Sequence, residues 1–428
     1  MKRYDNPDRS LWPILTERVT ADDAVIESRV LAILERVRTK GDEALAELSL
    51  EIDKVDLSQG IEVNAEEIRQ AGECVSEQLK QAVEQAYENI YKFHAGQMFD
   101  PVEIEIAPGV RCMQKAVPIQ KVGLYIPGGS APLFSTVLML AVPAKVAGCR
   151  EIVLCTPCGK DGKVAPAVLY AASRCGVDRI FKIGGAQAVG AMAYGTETVP
   201  AVDKIFGPGN RYVTKAKEIV FRNVAIDMPA GPSEVLVMAD DTAVPAFVAS
   251  DLLSQAEHGP DSQVILVCPS DWIADKVEAE VEKQLELLPR KEVAVKALEN
   301  SRVLVIPSLD TQIEFVNTYA AEHLIISVAH PWEIAGRITA AGSVFIGNYT
   351  PESAGDYASG TNHTLPTSGW ARSMSGVNLD SFIRKITYQE ITREGISNLG
   401  ATIVTMAQAE GLDAHANAAS VRMHSELQ

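Results

Sequence analysis

The 428-residue sequence is short of positive charge: 39 Lys and Arg stand against 56 Asp and Glu, a net charge of −17. A surplus of that sign repels phosphate backbones and anionic lipid, so nucleic-acid and membrane-surface partners are disfavoured. Solvated acids account for most of it. No apolar run is long enough to span a bilayer, since the longest, Ala131 to Cys149, is broken by Pro132, Pro143 and Lys145. The start, Met1 to Pro7, lacks the apolar segment of a secretory leader. The seven cysteines show no framework spacing, and Cys155-Thr-Pro-Cys158 has no second pair with which to hold a metal. Reduced thiols, a soluble chain and a cytoplasmic location are therefore expected. Familiar site motifs are missing too. There is no G-x-x-x-x-G-K-[ST], H-E-x-x-H or G-x-S-x-G, and in the one G-x-G, Gly207-Pro-Gly209, Tyr212 stands where a dinucleotide fingerprint needs its third glycine.

What is present is an alternation of short apolar runs with helix-length segments. Asp22 can cap a helix whose apolar positions (Val25, Ile26, Val30, Ile33, Leu34, Val37) recur at helical spacing until Gly41, and a second long helix spans Ser76 to about Gln97. Between Val102 and Ile126 the pattern turns to strands, with Glu103 to Ile106 strictly alternating. Ten further strands are predicted: 121–126, 151–155, 179–183, 204–206, 224–227, 234–238, 263–268, 302–306, 323–327 and 343–346. Many are apolar at consecutive positions, as strands buried on both faces must be, which is the signature of βαβ units on parallel sheets. Ten strands exceed one comfortable sheet, so two α/β domains are expected. From Gly347 to Gly376, five glycines and two prolines leave no period, and so long a loop in a compact protein is usually functional. A helical segment is expected from about Leu379 to Met423.

Local chemistry is concentrated around few of the seven histidines. Gln255 and His258, three apart, share one face at a helix end that Gly259-Pro260 must stop. They read as half of a metal site or as a capping Gln beside a surface His. Asp356 lies in the long loop, with Asn362-His363 after it, and Glu410 and His415 frame a segment near the C-terminus. A carboxylate, two imidazoles and a carboxamide oxygen suit a borderline cation such as Zn²⁺ if these segments converge. Glu322-His323 places an acid beside an imidazole at the mouth of an apolar strand, a pair for proton transfer or a solvated Glu beside a structural His. Adjacent strand residues point to opposite faces, so one shared site requires irregular backbone there. Gly128-Gly129, Gly184-Gly185 and Gly207-Pro-Gly209 each follow a strand, as phosphate-cradling loops or as tight turns.

Taken together, these segments resemble histidinol dehydrogenases. The matching stretches are Val122-Gly-Leu-Tyr-Ile-Pro-Gly-Gly129, Gly184-Gly-Ala-Gln187, Phe206-Gly-Pro-Gly-Asn210, Ile226-Asp-Met-Pro-Ala-Gly-Pro-Ser-Glu234, Asp251 to Ser262, Ala321-Glu-His-Leu324, Pro351 to His363 and Glu410-Gly-Leu-Asp-Ala-His415. They run in order from about residue 120 to the end. The resemblance implies an NAD-linked, zinc-dependent oxidation of L-histidinol to L-histidine through L-histidinal. It implies one zinc per subunit, held by Gln255, His258, Asp356 and His415. His323 would be the general base and Glu322 would activate the hydrating water. Ser233, Gln255, His258, His323, Asp356, Glu410 and His415 would contact substrate, and Tyr125, Gln187 and Asn210 would contact NAD. It further implies two Rossmann-like domains without the glycine fingerprint, and a homodimer whose C-terminal tails exchange to complete each other's sites. The expected division is an arm over 1–25, one domain from 26–125 with 235–378, an NAD-binding domain over 126–234, and a tail over 379–428. The same fold acting on another alcohol, a zinc hydrolase and a non-catalytic metal scaffold are the competing readings.

Overall fold

The computed structural model describes residues 1–18, 23–58, 60–128, 132–229 and 231–424. Asp22 and Gly129, singled out above as a helix cap and a loop glycine, lie outside the described residues. The chain divides into two compact units, one of Met1–Gln97 with Ile119–Phe382, the other of Met98–Pro118 with Ile383–Gln428.

The first unit contains two parallel sheets. Strand β1 (Lys2–Asp5) belongs to one of them, and strands β2 (Val102–Ala107) and β3 (Val110–Pro118) to the second unit. The five-stranded sheet consists of β4 (Lys121–Tyr125), β5 (Glu151–Cys155), β6 (Arg179–Phe181), β7 (Lys204–Phe206) and β8 (Ala225–Ile226), in the order β6-β5-β4-β7-β8. The six-stranded sheet adds β9 (Glu234–Ala239), β10 (Gln263–Cys268), β11 (Arg302–Val305), β12 (His323–Ser327) and β13 (Ser343–Ile346), in the order β1-β11-β10-β9-β12-β13. All ten predicted strands form. Strand β1, too short and polar to register as a strand in the sequence, joins the sheet edge because Lys2 pairs with Arg302 and the next residues follow in register.

Every residue of β9, β10 and β12 is buried. Along β9, Val235 and Val237 pack on one face with Val248 and Leu252 of the helix Pro245–Ala256, while Leu236 and Met238 pack on the other with Phe315 and Val316 of the helix Leu309–Tyr319. Two-sided burial is why these strands read as continuous apolar runs, and each fully buried Leu, Val or Ile contributes roughly 1.5–3 kcal/mol.

The helices of residues 23–97 belong with the five-stranded sheet. Val30, Leu34 and Val37 share a core with Val153, Phe181 and Val189, and Val83, Ala86 and Ile90 share one with Val122 and Leu124. Helices within 26–125, the stretch expected to group with 235–378, thus pack on the five-stranded sheet: helix faces seek the nearest apolar sheet face, whatever the distance along the chain. In the second unit, β3 pairs antiparallel with β2 and with β14 (Ile383–Ile391), Ile383 lying opposite Pro118. The helix expected across Leu379–Met423 is therefore corrected over Ile383–Ile391. That segment, Ile-Arg-Lys-Ile-Thr-Tyr-Gln-Glu-Ile, is rich in β-branched and aromatic residues, and pairing with β3 decides its conformation. Helices Arg393–Ala409 and Asp413–Met423 complete the unit. No described helix is long and apolar enough to cross a membrane.

Candidate active site

The site lies at the N-terminal edge of the six-stranded sheet, and connectivity explains why. The helix Pro245–Ala256 follows β9 and returns antiparallel to it, so its last turn reaches the edge where β9 and β12 begin. That turn carries Gln255 at its buried end and His258 just beyond. The helix Glu352–Tyr357, inside the glycine-rich segment after β13, supplies Asp356 and a second acid, Glu352. One ligand atom from each of His258, Glu352 and Asp356 lies within 4.8 Å of the others. Their i, i+4 spacing puts the two acids on one helix face. Glu352 was missed in the sequence, although that spacing was legible.

Glu322 sits on a bend immediately before β12, preceded by Ala320 at φ 55°. This irregular backbone turns its carboxylate to the same side as His323, with Oε2 3.6 Å from His323 Nδ1. Gly342 crosses the Glu322 carbonyl so closely that a Cβ would lie 2.5 Å away. Opposite, Glu234 binds both members of the pair through its backbone: its N–H donates to Glu322 Oε2 at 2.9 Å, and its carbonyl faces His323 Nδ1 at 3.3 Å. The Gln255 amide lies between this N–H and the Glu352 carboxylate, and with its nitrogen toward the acid its oxygen accepts from Glu234 at 3.0 Å. Glu234 is in turn fixed through its own buried side chain. Arg18 Nε and Nη2 donate to it at 2.7 and 3.0 Å, and the guanidinium lies over the Tyr319 ring at 3.6 Å. Breaking such a buried pair strands a charge, at a cost of about 3–5 kcal/mol.

His323 is buried. Its Nδ1 is occupied by Glu234 and Glu322, and its Nε2, 3.7 Å from Asp356 Oδ1, has no hydrogen-bond partner among the described residues. Burial works against its protonation, but Glu322, Glu352 and Asp356 together push its pKa up to about 10. Burial raises Glu322 and Glu352 to about 8 each, and Asp251, behind Glu352, to about 7. Burial also presses Asp356 upward, but the charge of the nearby His323, helped by His363 and His258, holds it below the usual range. His258 reaches solvent on one side, and the protein packed around its ring lowers its pKa, favouring the neutral imidazole. His363 joins the site from behind, its Nδ1 2.9 Å from the Asp356 carbonyl and its Nε2 3.2 Å from Thr136 Oγ1. Four crowded acids, a neutral imidazole, a carboxamide and an orphaned imidazole nitrogen are the donor set and charge balance that a divalent cation fits.

The remaining sequence-derived candidates are placed elsewhere. Ser233 is half-buried just before β9. Glu410 and His415 are exposed residues of the second unit. Tyr125 ends β4, and its hydroxyl accepts from the Gly185 N–H at 3.1 Å. Gln187 is buried, and Asn210 caps the helix Arg211–Val220. All seven cysteines are free, and burial holds the Cys155 thiol well above its ordinary pKa, so the C-x-x-C carries no reactive thiolate at that position.

The sequence model of the histidinol dehydrogenase family matches residues 16–423. A histidinol dehydrogenase of Bacteroides thetaiotaomicron is 55% identical over 426 residues, 99% of each chain. One from Vibrio parahaemolyticus is 53% identical over 418 residues, 97% of this chain and 96% of its own. The crystal structure of histidinol dehydrogenase from Elizabethkingia anophelis superposes with a TM-score of 0.97 at 52% identity, covering 99% of this chain and 98% of that one.

Proposed function

The chain belongs to the histidinol dehydrogenase family, and on that premise we propose which of its residues hold the substrate and move its protons. The reaction is the NAD-dependent oxidation of L-histidinol to L-histidine through L-histidinal, with two hydrides leaving in turn. The observation that carries the assignment is the buried pair Glu322-His323 set against His258, Glu352 and Asp356, with His323 Nε2 left unpartnered.

In this reading Gln255, His258 and Asp356, with His415 from a second copy, hold one zinc per subunit. The bound zinc supplies a fixed point for the substrate's amine and imidazole, and NAD supplies the hydride acceptor. The three acids hold His323 protonated in the metal-free site; the charge of a bound zinc would oppose them, so that His323, its Nδ1 turned to Glu234 and Glu322, would present Nε2 as the base that takes the alcohol proton. Glu322, raised by burial into the range of a competent base, draws a proton from the water that hydrates the aldehyde. Ser233 at the start of β9 and Glu410 of the tail contact the substrate. Tyr125, Gln187 and Asn210 line the NAD site at the C-terminal edge of the five-stranded sheet.

Adding L-histidinol to enzyme and NAD⁺ should yield two NADH per substrate, and chelation should abolish the signal until zinc is restored. One NADH per substrate would refute the double oxidation, and full activity after verified metal removal would refute the metal.

Glu410 and His415 belong to a unit that exposes Ile104, Ile106, Ile386, Tyr388 and Met406 to solvent. An apolar surface of this kind suits a second copy of the chain, and a homodimer with exchanged tails would bring His415 and Glu410 to the partner's site. His415→Ala and His323→Ala chains, each inactive alone, should regain activity when mixed, approaching about a quarter of wild type because random exchange gives half hybrids with one intact site of two. No recovery after demonstrated subunit exchange would refute the shared site.

A further inference from the structure

NAD must be held here by a chain without the glycine fingerprint. The order β6-β5-β4-β7-β8 reverses direction at β4, and in open parallel sheets dinucleotides lie outside the C-terminal ends of the strands at such a reversal. β7 is followed by Gly207 at φ 127°, where a Cβ would collide with the Tyr125 carbonyl at the end of β4. Buried Lys217 fixes this turn. It donates to the Gly207 carbonyl at 2.8 Å and pairs with Asp227, which accepts the Gly207 N–H at 2.7 Å.

In the usual dinucleotide fold, a carboxylate near the end of the second strand accepts the adenosine ribose hydroxyls. Here that strand is β5, and it runs into Cys155-Thr-Pro-Cys158 with no acid. The cleft beside Pro157, Cys158 and Gly184 is lined instead by Ser49 and Asp53, the two ends of a π-turn that continues the helix Asp42–Leu48. π-turns of this kind gather at functional sites. Lys54, at φ 59°, turns the chain away directly after Asp53. Asp53 Oδ2 accepts from Gln187 Nε2 at 3.1 Å. Ser49 is only 2% exposed, and its Oγ has no hydrogen-bond partner among the described residues. Lys182, the cation lining the same cleft, is engaged by Glu67 at 2.6 Å.

We propose that Ser49 and Asp53 are the recognition site for the adenosine ribose of NAD, and that Asp53 excludes the 2′-phosphate of NADP. The inference rests on placing NAD at the C-terminal edge of β4, β5 and β7. A cis-diol offers two hydroxyl donors to one carboxylate, and the buried Ser49 hydroxyl gains the partner it lacks. A 2′-phosphate would remove one donor and set a charge of about −1.5 to −2 against a carboxylate drawn partly out of water, while Lys182 is already committed to Glu67. Burial holds the Asp53 carboxyl above its ordinary pKa, so hydroxyl donors reaching it offset a desolvation cost already incurred.

Calorimetric titration with NADH and NADPH tests this without requiring turnover. Wild type should prefer NADH by at least about tenfold, the worth of one hydrogen bond to a charged group. Asp53→Ala should weaken NADH by about tenfold or more and leave NADPH within about threefold, so that the preference collapses. Asp53→Asn keeps the shape and removes the charge; it guards against a folding failure of the alanine variant and should narrow the preference by improving NADPH. Ser49→Ala should weaken NADH by a smaller factor. An unchanged preference in both Asp53 variants, or an equal loss of both nucleotides, would overturn the ribose assignment alone. Wild type that reduces NAD⁺ with histidinol, together with Tyr125 and Gly207 variants that bind NADH as tightly as wild type, would overturn the placement of NAD beneath it as well.

Discussion

Asp356→Asn is expected to purify without its metal and to oxidise histidinol at least about a thousandfold more slowly than wild type. Changes that touch only the partners of metal ligands typically cost 10–100-fold in affinity or activity, and this one strikes the carboxylate itself. The amide keeps the size of the side chain but removes the charge that His258 and His323 face across the cleft. Burial already raises Glu322, Glu352 and Asp251, so Asp356, held below the ordinary range, is the acid best able to stay ionised against a cation. Metal content per subunit by elemental analysis and kcat on the same preparation give the two readouts. A variant with full metal content, or with kcat within tenfold of wild type, would show that Asp356 holds no metal.

His323→Ala should instead keep its metal and lose turnover by about 10²–10⁴-fold, the usual contribution of a positioned general base. Glu322→Gln should separate the two halves of the reaction. The amide can still accept the Glu234 N–H now given to Glu322 Oε2 at 2.9 Å, so the neighbouring imidazole stays in place, but it cannot take a proton from water. NADH formed per histidinol should then fall from two towards one as the aldehyde accumulates or escapes. An unchanged ratio of two at an unchanged rate would remove Glu322 from the chemistry, and His323→Ala within tenfold of wild type would remove His323.

The parallel strands were legible because two-sided burial writes apolar runs into β9, β10 and β12, and the ends of those runs match the observed strands closely. The Glu322-His323 pair was legible as chemistry but not as geometry. Its common direction depends on the bend at Glu322 and the left-handed Ala320, which local pattern does not mark. Glu352 shows the converse: an acid four residues before Asp356 on a helix too short to stand out within a glycine-rich segment. β14 was hidden because its partner, β3, lies far away in sequence and pairing with it overrides a helical expectation. The role of Glu234 was hidden for another reason. It acts through its backbone, and its side chain is set by Arg18, more than two hundred residues away.

The six-stranded sheet closes on β1, whose Lys2 lies opposite Arg302. On a ribosome adding about 5–20 residues per second, the first strand made waits roughly 15–60 s for the strand it joins. β3 waits nearly as long for β14, from Pro118 to Ile383. During that interval β2 and β3 are a hairpin with open edges, the kind of surface that recruits neighbouring nascent chains. Their charged residues, Glu103, Glu105, Arg111 and Lys115 among them, are a means of keeping such edges apart. The chain thus has to stay silent at both ends of its sheets until synthesis is nearly done. Its assembly is governed by the order in which residues emerge as much as by the stability of the finished fold.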